Sequence, residues 1–385
     1  LHRLTKISNV KILKSVDEIG KDSIASLSGD GFYIYEWLKI AEKTQLYKFD
    51  HPFKLDPFYV AVFDRDELVA LAPCFLRSND HHPSWKPNWF LKDKIYALSS
   101  LVKLPLDRAM LCNSLLCFQS RVLIAKSYDG RSALNQISQV FDSICHKNRM
   151  LFSSFLSVSE YDRLLISSLE ELGYQKFPHG MCSYLDIKWK SFDEYLERRH
   201  GSNQGSGHSI RREIRKCEEN GVKIDMVSEF GELADTLSHL YANLIWKYYK
   251  QNSLYDAAFY RRLNEFAHDK IKLFVARKNG EVVGFSCCFQ QGETLDVHHC
   301  GFNYRALGKK DYTYFNLCYY APIKWSIEKG IKKICYGSTL PDLKRRRGCK
   351  PERIFSFIKL QNSMLRNLAG ALYAWIQRYP IARLL

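Results

Sequence analysis

The sequence predicts an α/β protein of two similar lobes in tandem, each a mixed sheet flanked by helices. Three observations carry that prediction. A strand, turn and strand pattern occurs at Pro57 to Ser78 and again at Ile271 to Phe302. Each hairpin has a helical pattern before it, and after it a helix followed by a strand. With 385 residues, 46% of them hydrophobic, the chain can bury two cores of ordinary domain size. One large irregular α/β domain is the alternative. The expected boundaries are 1–185 for the first lobe, 186–365 for the second and 366–385 for a trailing amphipathic segment.

In chain order, the first hairpin turns at Asp64-Arg65-Asp66-Glu67 between two apolar runs. A helix from Arg131 and a strand from Leu151 follow, read from "RSALNQISQVFDSICHKNRMLFSSFLSV". The middle of the chain, "RRHGSNQGSGHSIRREIRKCEENGV" (Arg198 to Val222), clusters cations on both sides of a glycine-rich stretch. That stretch lacks the Gly-Lys-Ser/Thr ending of a phosphate cradle and reads as a loop. From Ser209 to Asn220, Ile210, Ile214 and Cys217 share a face, while Arg211, Arg212, Arg215 and Lys216 cover the others. Asn220-Gly221 reads as the C-cap of this short basic helix. A long amphipathic helix follows, with Leu233, Leu237, Leu240 and Leu244 as its apolar stripe up to Tyr249. The second hairpin turns at Asn279-Gly280, the strongest two-residue turn signal in the chain, and gains a third strand at Thr294 to Phe302. The last helix contains Pro322, which either kinks it or restarts it in a first turn, and stops at Gly330 before another strand.

The charge balance narrows the partners. Lys plus Arg number 57 against 41 Asp plus Glu, a net +16. Such an excess suits a polyanion: a nucleic acid, the phosphates of a cofactor, an acidic carrier protein or an anionic membrane surface. The 12 cysteines form no CxxC pair and are expected as reduced, small core residues. No run of about 18 apolar residues is present to cross a bilayer. Leu1 to Lys6 lacks a signal-peptide core, so a cytoplasmic location is expected. No nucleophile elbow, Walker motif or zinc-finger spacing occurs.

The basic stretch leading into "SIRREIRKCEENGVKI" and its long helix resembles the junction of the Fem-type transferases of peptidoglycan branch synthesis and their FemAB-like N-acyltransferase relatives. Arg211, Ile214, Arg215 and Gly221-Val222 stand in the places of that motif. "CYYAPIKWSIEKGIKKICYGS" and "LKRRRGCKPERIFSFIKL" (Leu343 to Leu360) are similar to later family segments. The resemblance spans residues 30 to 365 and implies a pair of GNAT-like lobes. It also implies an enzyme that forms an amide by moving an acyl group to an amine. The donor would be a thioester on CoA or on the phosphopantetheine of an acyl-carrier protein. Alternatives are aminoacyl-tRNA, as in the Fem-type enzymes, or a non-catalytic RNA- or carrier-binding role.

The resemblance directs attention to Thr294 to Phe302, where a GNAT lobe parts its sheet. Regular alternation would put Asp296, His298 and Cys300 on one face and Leu295, Val297, His299 and Gly301 on the other. His298 with Asp296 is the first choice of general base, His299 the second; a hydrogen-bonded pair that only holds the sheet fits the same residues. Side chains on opposite faces speak against a metal site. Next comes "YRALGKKDYTYF", in which Arg305 and Gly308 match part of the GNAT pyrophosphate motif, with Lys309 and Lys310 adding charge. Tyr304 or Tyr336 would protonate a leaving thiolate. Lys344-Arg345-Arg346-Arg347, with Lys350 and Arg353 nearby, would hold a phosphate beside Tyr336 and Ser338, and Arg211 and Arg215 would recruit the anionic donor.

Overall fold

The structure, a computed structural model, describes residues 9–27, 34–43, 56–77, 109–114, 117, 119–199, 206–250, 252–253, 255–308 and 310–362. Residues 200–205 of the glycine-rich loop, Lys309 and the 366–385 segment lie outside the described residues. Strands β1 to β6 are Val10–Leu13, Asp56–Asp64, Glu67–Arg77, Ala109–Cys112, Leu123–Ile124 and Phe152–Ser159. Strands β7 to β13 are Gln175–Asp186, Val222–Val227, Ile271–Lys278, Glu281–Gln291, Thr294–Phe302, Lys333–Cys335 and Lys350–Leu360.

The chain forms two compact units. Unit 1 comprises Leu1–Leu38, Tyr47–Gly180 and Arg353–Leu385; unit 2 comprises Lys39–Leu46 and Met181–Glu352. Both main breaks fall inside strands, one in β7 and one in β13. Arg353 onward belongs with unit 1 because β13 pairs antiparallel with β6 from Ile354↔Ser159 to Leu360↔Phe152.

In unit 1, β1, β2, β3 and β4 pair antiparallel in that order, and β4 pairs parallel with β6. The β2–β3 turn places Arg65 and Asp66 at φ 46° and 69°, the two left-handed positions that a tight hairpin of right-twisted strands requires. Helix Gly130–Lys147 starts at Asp129, whose carboxylate caps the Arg131 and Ser132 amides. Its Ala133, Leu134, Ile137, Phe141 and Ile144 repeat every three or four residues and bury against Val60, Val62, Ala72, Met110 and Phe155.

The parallel β4–β6 pairing ends at Cys112↔Phe155. Ser120 fills the gap beyond it. Its Oγ donates to the Cys112 carbonyl at 2.7 Å and accepts from the Leu156 amide at 2.9 Å, and its own amide donates to the Leu156 carbonyl at 2.9 Å.

In unit 2, β8, β9, β10 and β11 run antiparallel, β11 pairs parallel with β12, and β12 pairs antiparallel with residues 184–186 of β7. Asn279 and Gly280 take φ 52° and 84°, as the turn signal predicts. The helix over Pro322 is a turn Thr313–Phe315, a π-helical turn Asn316–Tyr320 and an α-helix Ala321–Glu328 with Pro322 in its first turn. Proline has no N–H to donate, and a restart at this point spares the ladder a missing bond. Leu317, Tyr320 and Ile323 of this helix pack on Val283, Cys288, Leu295 and Phe302. All 12 cysteines are free thiols, and all but Cys117 and Cys300 are buried. Among the described residues no helix is long and apolar enough to cross a membrane.

Candidate active site

The pairing of β11 with β12 covers Thr294↔Lys333, Leu295↔Ile334 and Asp296↔Cys335. There β12 ends while β11 runs on to Phe302, so the two parallel strands part after Asp296. On its other edge, β11 carries one residue too many: Cys287 pairs with His299 and Cys288 with Val297, leaving His298 as a β-bulge.

The bulge changes the phase of the strand. Leu295, Val297, Cys300 and Phe302 all pack with the π-turn helix, whereas regular alternation would have put Cys300 opposite Val297. His299 meets Tyr241, Tyr255, Tyr260 and Phe285. Gly301 lies against the backbone of Leu240 and Tyr241, where a Cβ would stand 2.5 Å from the Leu240 carbonyl carbon. The expected division of β11 faces is therefore corrected. His298 and His299 do not point apart; their Nδ1 atoms are 2.8 Å from each other.

His299 is tied at both ring nitrogens, with Nε2 3.0 Å from the Tyr260 hydroxyl. Burial, and secondarily the neighbouring His298, holds its imidazole well below the ordinary 6.5. Burial likewise raises the Tyr260 phenol. Both groups are neutral at pH 7. Tyr304, just beyond β11, is half-buried and its phenol is raised by burial, then by Tyr248. The Lys247 ammonium sits 3.5 Å from the Tyr304 ring centroid.

The loop from Asn303 to Tyr312 holds its own anion. The Gly308 amide donates to Asp311 Oδ2 at 3.0 Å, and Lys278 Nζ lies 3.1 Å from the same oxygen. Asp311 is buried, and a Cβ on Gly308 would come within 3.1 Å of its Oδ1. Asn303 Oδ1 accepts from the Arg305 and Ala306 amides. The Arg305 side chain is exposed, as is Lys310, whose carbonyl accepts from Asn220 at 3.4 Å.

The basic run of the last part of unit 2 divides. Lys344 is 3% exposed and donates to the carbonyls of Tyr336 at 2.5 Å and Gly337 at 3.0 Å, bracing the chain where it leaves β12. Burial lowers its ammonium pKa. Arg347, 2% exposed, pairs with buried Glu213 at 3.4 Å and lies 3.8 Å from the Phe315 ring centroid; Tyr320 bonds the same carboxylate. The three-residue spacing turns these two inward from the short helix Pro341–Arg346 while Arg345 and Arg346 stay outside. Tyr336 is buried and stacked on Tyr319, whereas Ser338 is exposed. On helix Gly207–Glu219, Arg211, Arg212, Arg215 and Lys216 are all exposed, and Arg215 and Lys216 share Glu219.

The FemAB-like family, described as acting in peptidoglycan biosynthesis or recognition, matches residues 117–379. The chain belongs to the FemAB-like family. No curated protein matches it. Among solved structures, FemX aligns over 90% of this chain and 97% of its own at 12% identity and TM-score 0.58. The C-terminal domain of a putative lysylphosphatidylglycerol synthetase from Agrobacterium fabrum aligns over 94% and 98% at 10% identity and TM-score 0.55. L-PGS from Bacillus licheniformis aligns over 94% and 97% at 9% identity and TM-score 0.55. These likenesses show a shared α/β fold.

Within this FemAB-like chain, the structure brings His298, His299 and Tyr304 to one strand and its exit, and sets Arg211 and Arg215 on a separate helix. Sequence reasoning passed over Tyr260, Lys278 and Asp311. Asp311 carried a signal: an acidic residue just ahead of a helix start commonly turns its oxygens toward free amides. Tyr260 carried none, because its contact with His299 joins residues far apart in sequence.

Proposed function

We propose that this FemAB-like chain transfers an aminoacyl group from an ester on an RNA terminus to an amine, with a peptidoglycan precursor as the acceptor class. One observation carries the choice of donor. A CoA pyrophosphate in the GNAT manner would seek the amides of the Gly308 loop, and the Gly308 amide already serves the Asp311 carboxylate. The carboxylate, held there by Lys278, occupies the donor a phosphate would use. The net charge of +16 and the exposed arginines of helix Gly207–Glu219 suit a polyanionic donor. The acceptor class rests on the family description.

In this reading His298 is the general base. Its Nδ1–H donates to His299 Nδ1, His299 in turn presents Nε2–H to the Tyr260 oxygen, and the proton from the amine goes to His298 Nε2. The amine nitrogen attacks the ester carbonyl and its proton passes to His298. The C–O bond to the ribose then breaks, and the proton passes to the leaving hydroxyl. His299, kept neutral by burial, accepts from the imidazolium throughout.

The test is intact-mass detection of the acylated amine after offering aminoacyl-tRNA, acyl-CoA and acyl-carrier protein in parallel with a panel that includes peptidoglycan-precursor peptides. Product from aminoacyl-tRNA is expected. Product from a thioester donor alone overturns the reading.

A further inference from the structure

Helix Ala234–Tyr249 passes the site at its middle and ends in solvent. Its Tyr241 ring lies 5.2 Å from that of His299. One turn later the helix emerges, and three aromatic side chains stand in solvent: Trp246 at 59%, Tyr248 at 64% and Tyr249 at 57% exposure. Burial is the ordinary fate of rings this large, so three of them exposed within four residues need a reason. Cations are interleaved with them. Lys247 Nζ lies 5.5 Å from the Tyr248 centroid as well as 3.5 Å from that of Tyr304, and Lys250 Nζ lies 5.7 Å from that of Trp246. Asp235, at the far end, is the only acidic residue of the helix.

We infer that Trp246, Tyr248, Tyr249 and Tyr304, with Lys247 and Lys250, form a stacking platform for the single-stranded 3′ end of an RNA. The inference rests on the aminoacyl-ester reading above and names where the donor's bases lie. Every base has a π-face, and exposed rings set among cations are how proteins hold single strands without reading their sequence. Charge decides against a neutral sugar, which would need the rings but not the lysines. The spacing agrees. At about 1.5 Å of rise per residue, Trp246 to Tyr249 lie roughly 7–12 Å along the helix from Tyr241, and stacked bases repeat at about 3.4 Å. A strand whose terminal ester sits where β11 and β12 part would therefore lay the preceding two to four bases on these rings. Tyr304, at the exit of β11, joins the platform to the site.

The experiment measures binding of a short single-stranded oligoribonucleotide ending in CCA-3′ by fluorescence anisotropy. The same sequence as a blunt duplex and a chitin oligosaccharide serve as comparisons. The single strand is expected to bind more tightly than the duplex. Trp246→Ala and Tyr248→Ala should each weaken it roughly 5- to 150-fold, the equivalent of about 1–3 kcal/mol per stacked base. Lys247→Gln should lower the log–log salt slope by about one unit or slightly less. These exposed positions leave the fold intact, which a melting curve checks. No binding of the oligonucleotide, unchanged affinity in both aromatic variants, or an effect on the oligosaccharide alone would overturn the platform. The donor assay stands apart. Transfer from aminoacyl-tRNA with variants that bind the oligonucleotide normally sinks the platform only, whereas transfer from thioesters alone sinks the donor reading and leaves the oligonucleotide affinities to decide the platform.

Discussion

His298 and His299, adjacent in the chain, hold their Nδ1 atoms 2.8 Å apart on β11, and only one of the two can carry the hydrogen between them. The pair therefore acts as one unit, since the ring that donates at Nδ1 fixes the other as the acceptor there.

For catalysis, His298→Ala is expected to lower kcat by about 10²- to 10⁴-fold, the usual contribution of a general base, with KM for the donor changing little. Steady-state kinetics checks this. Near-normal kcat in a folded His298→Ala protein would assign the pair to structure alone.

Acid should destabilise both units. Burial depresses the imidazoles of His299 in unit 2 and His179 in unit 1, the latter to about 4. The unfolded chain takes up these protons at about 6.5, so the native state binds fewer protons below that pH. Stability is then complete above about 6.5 and falls toward 4, by up to about 1.4 kcal/mol per pH unit for each histidine. Melting temperatures from pH 8 to 4 should flatten in His179→Gln. A parallel fall in parent and variant would contradict this.

Asp311→Ala removes the anion from the Gly308 amide and from Lys278. One unsatisfied donor costs about 1–3 kcal/mol, and the vacated position should accept an external anion. Sulfate should thus raise the melting temperature of the variant more than that of the parent. Equal responses would show that the position does not bind anions.

Arg347→Met strands the Glu213 carboxylate in the core, at an expected cost of about 3–5 kcal/mol, while replacing both residues by apolar ones should restore much of the loss. Denaturant midpoints of the two variants decide it. If the double variant is the less stable, the ion pair contributes net stability.

How much of this was legible in the sequence depends on how local the cause was. Asn279-Gly280 states its geometry in two residues, and both hairpins and the Gly130–Lys147 helix stand where their patterns put them. The lone turn Arg65-Asp66 was visible only by position, since neither residue is glycine. The bulge at His298 was not legible, because nothing in Val297-His298-His299 departs from an ordinary strand and the extra residue is defined by its partner strand. The inward turn of Lys344 and Arg347 was hidden for a similar reason. A run of four cations reads as an exposed cluster for a phosphate, and the carbonyls and the carboxylate that take two of them inside come from elsewhere in unit 2.

The bulge has a consequence for how the strand could change by single-codon steps. Most deletions within β11 would send the residues beyond them to the wrong side of the sheet. Deleting His298 instead leaves Val297 and Cys300 with the π-turn helix and His299 with Tyr260, since His298 is the one residue that β10 leaves unmatched. The deletion should melt near the parent and lack transfer activity, and a collapse of the fold would refute it. In this strand the proposed proton acceptor is separable from the architecture: it can be lost, or regained, without rebuilding the sheet around it.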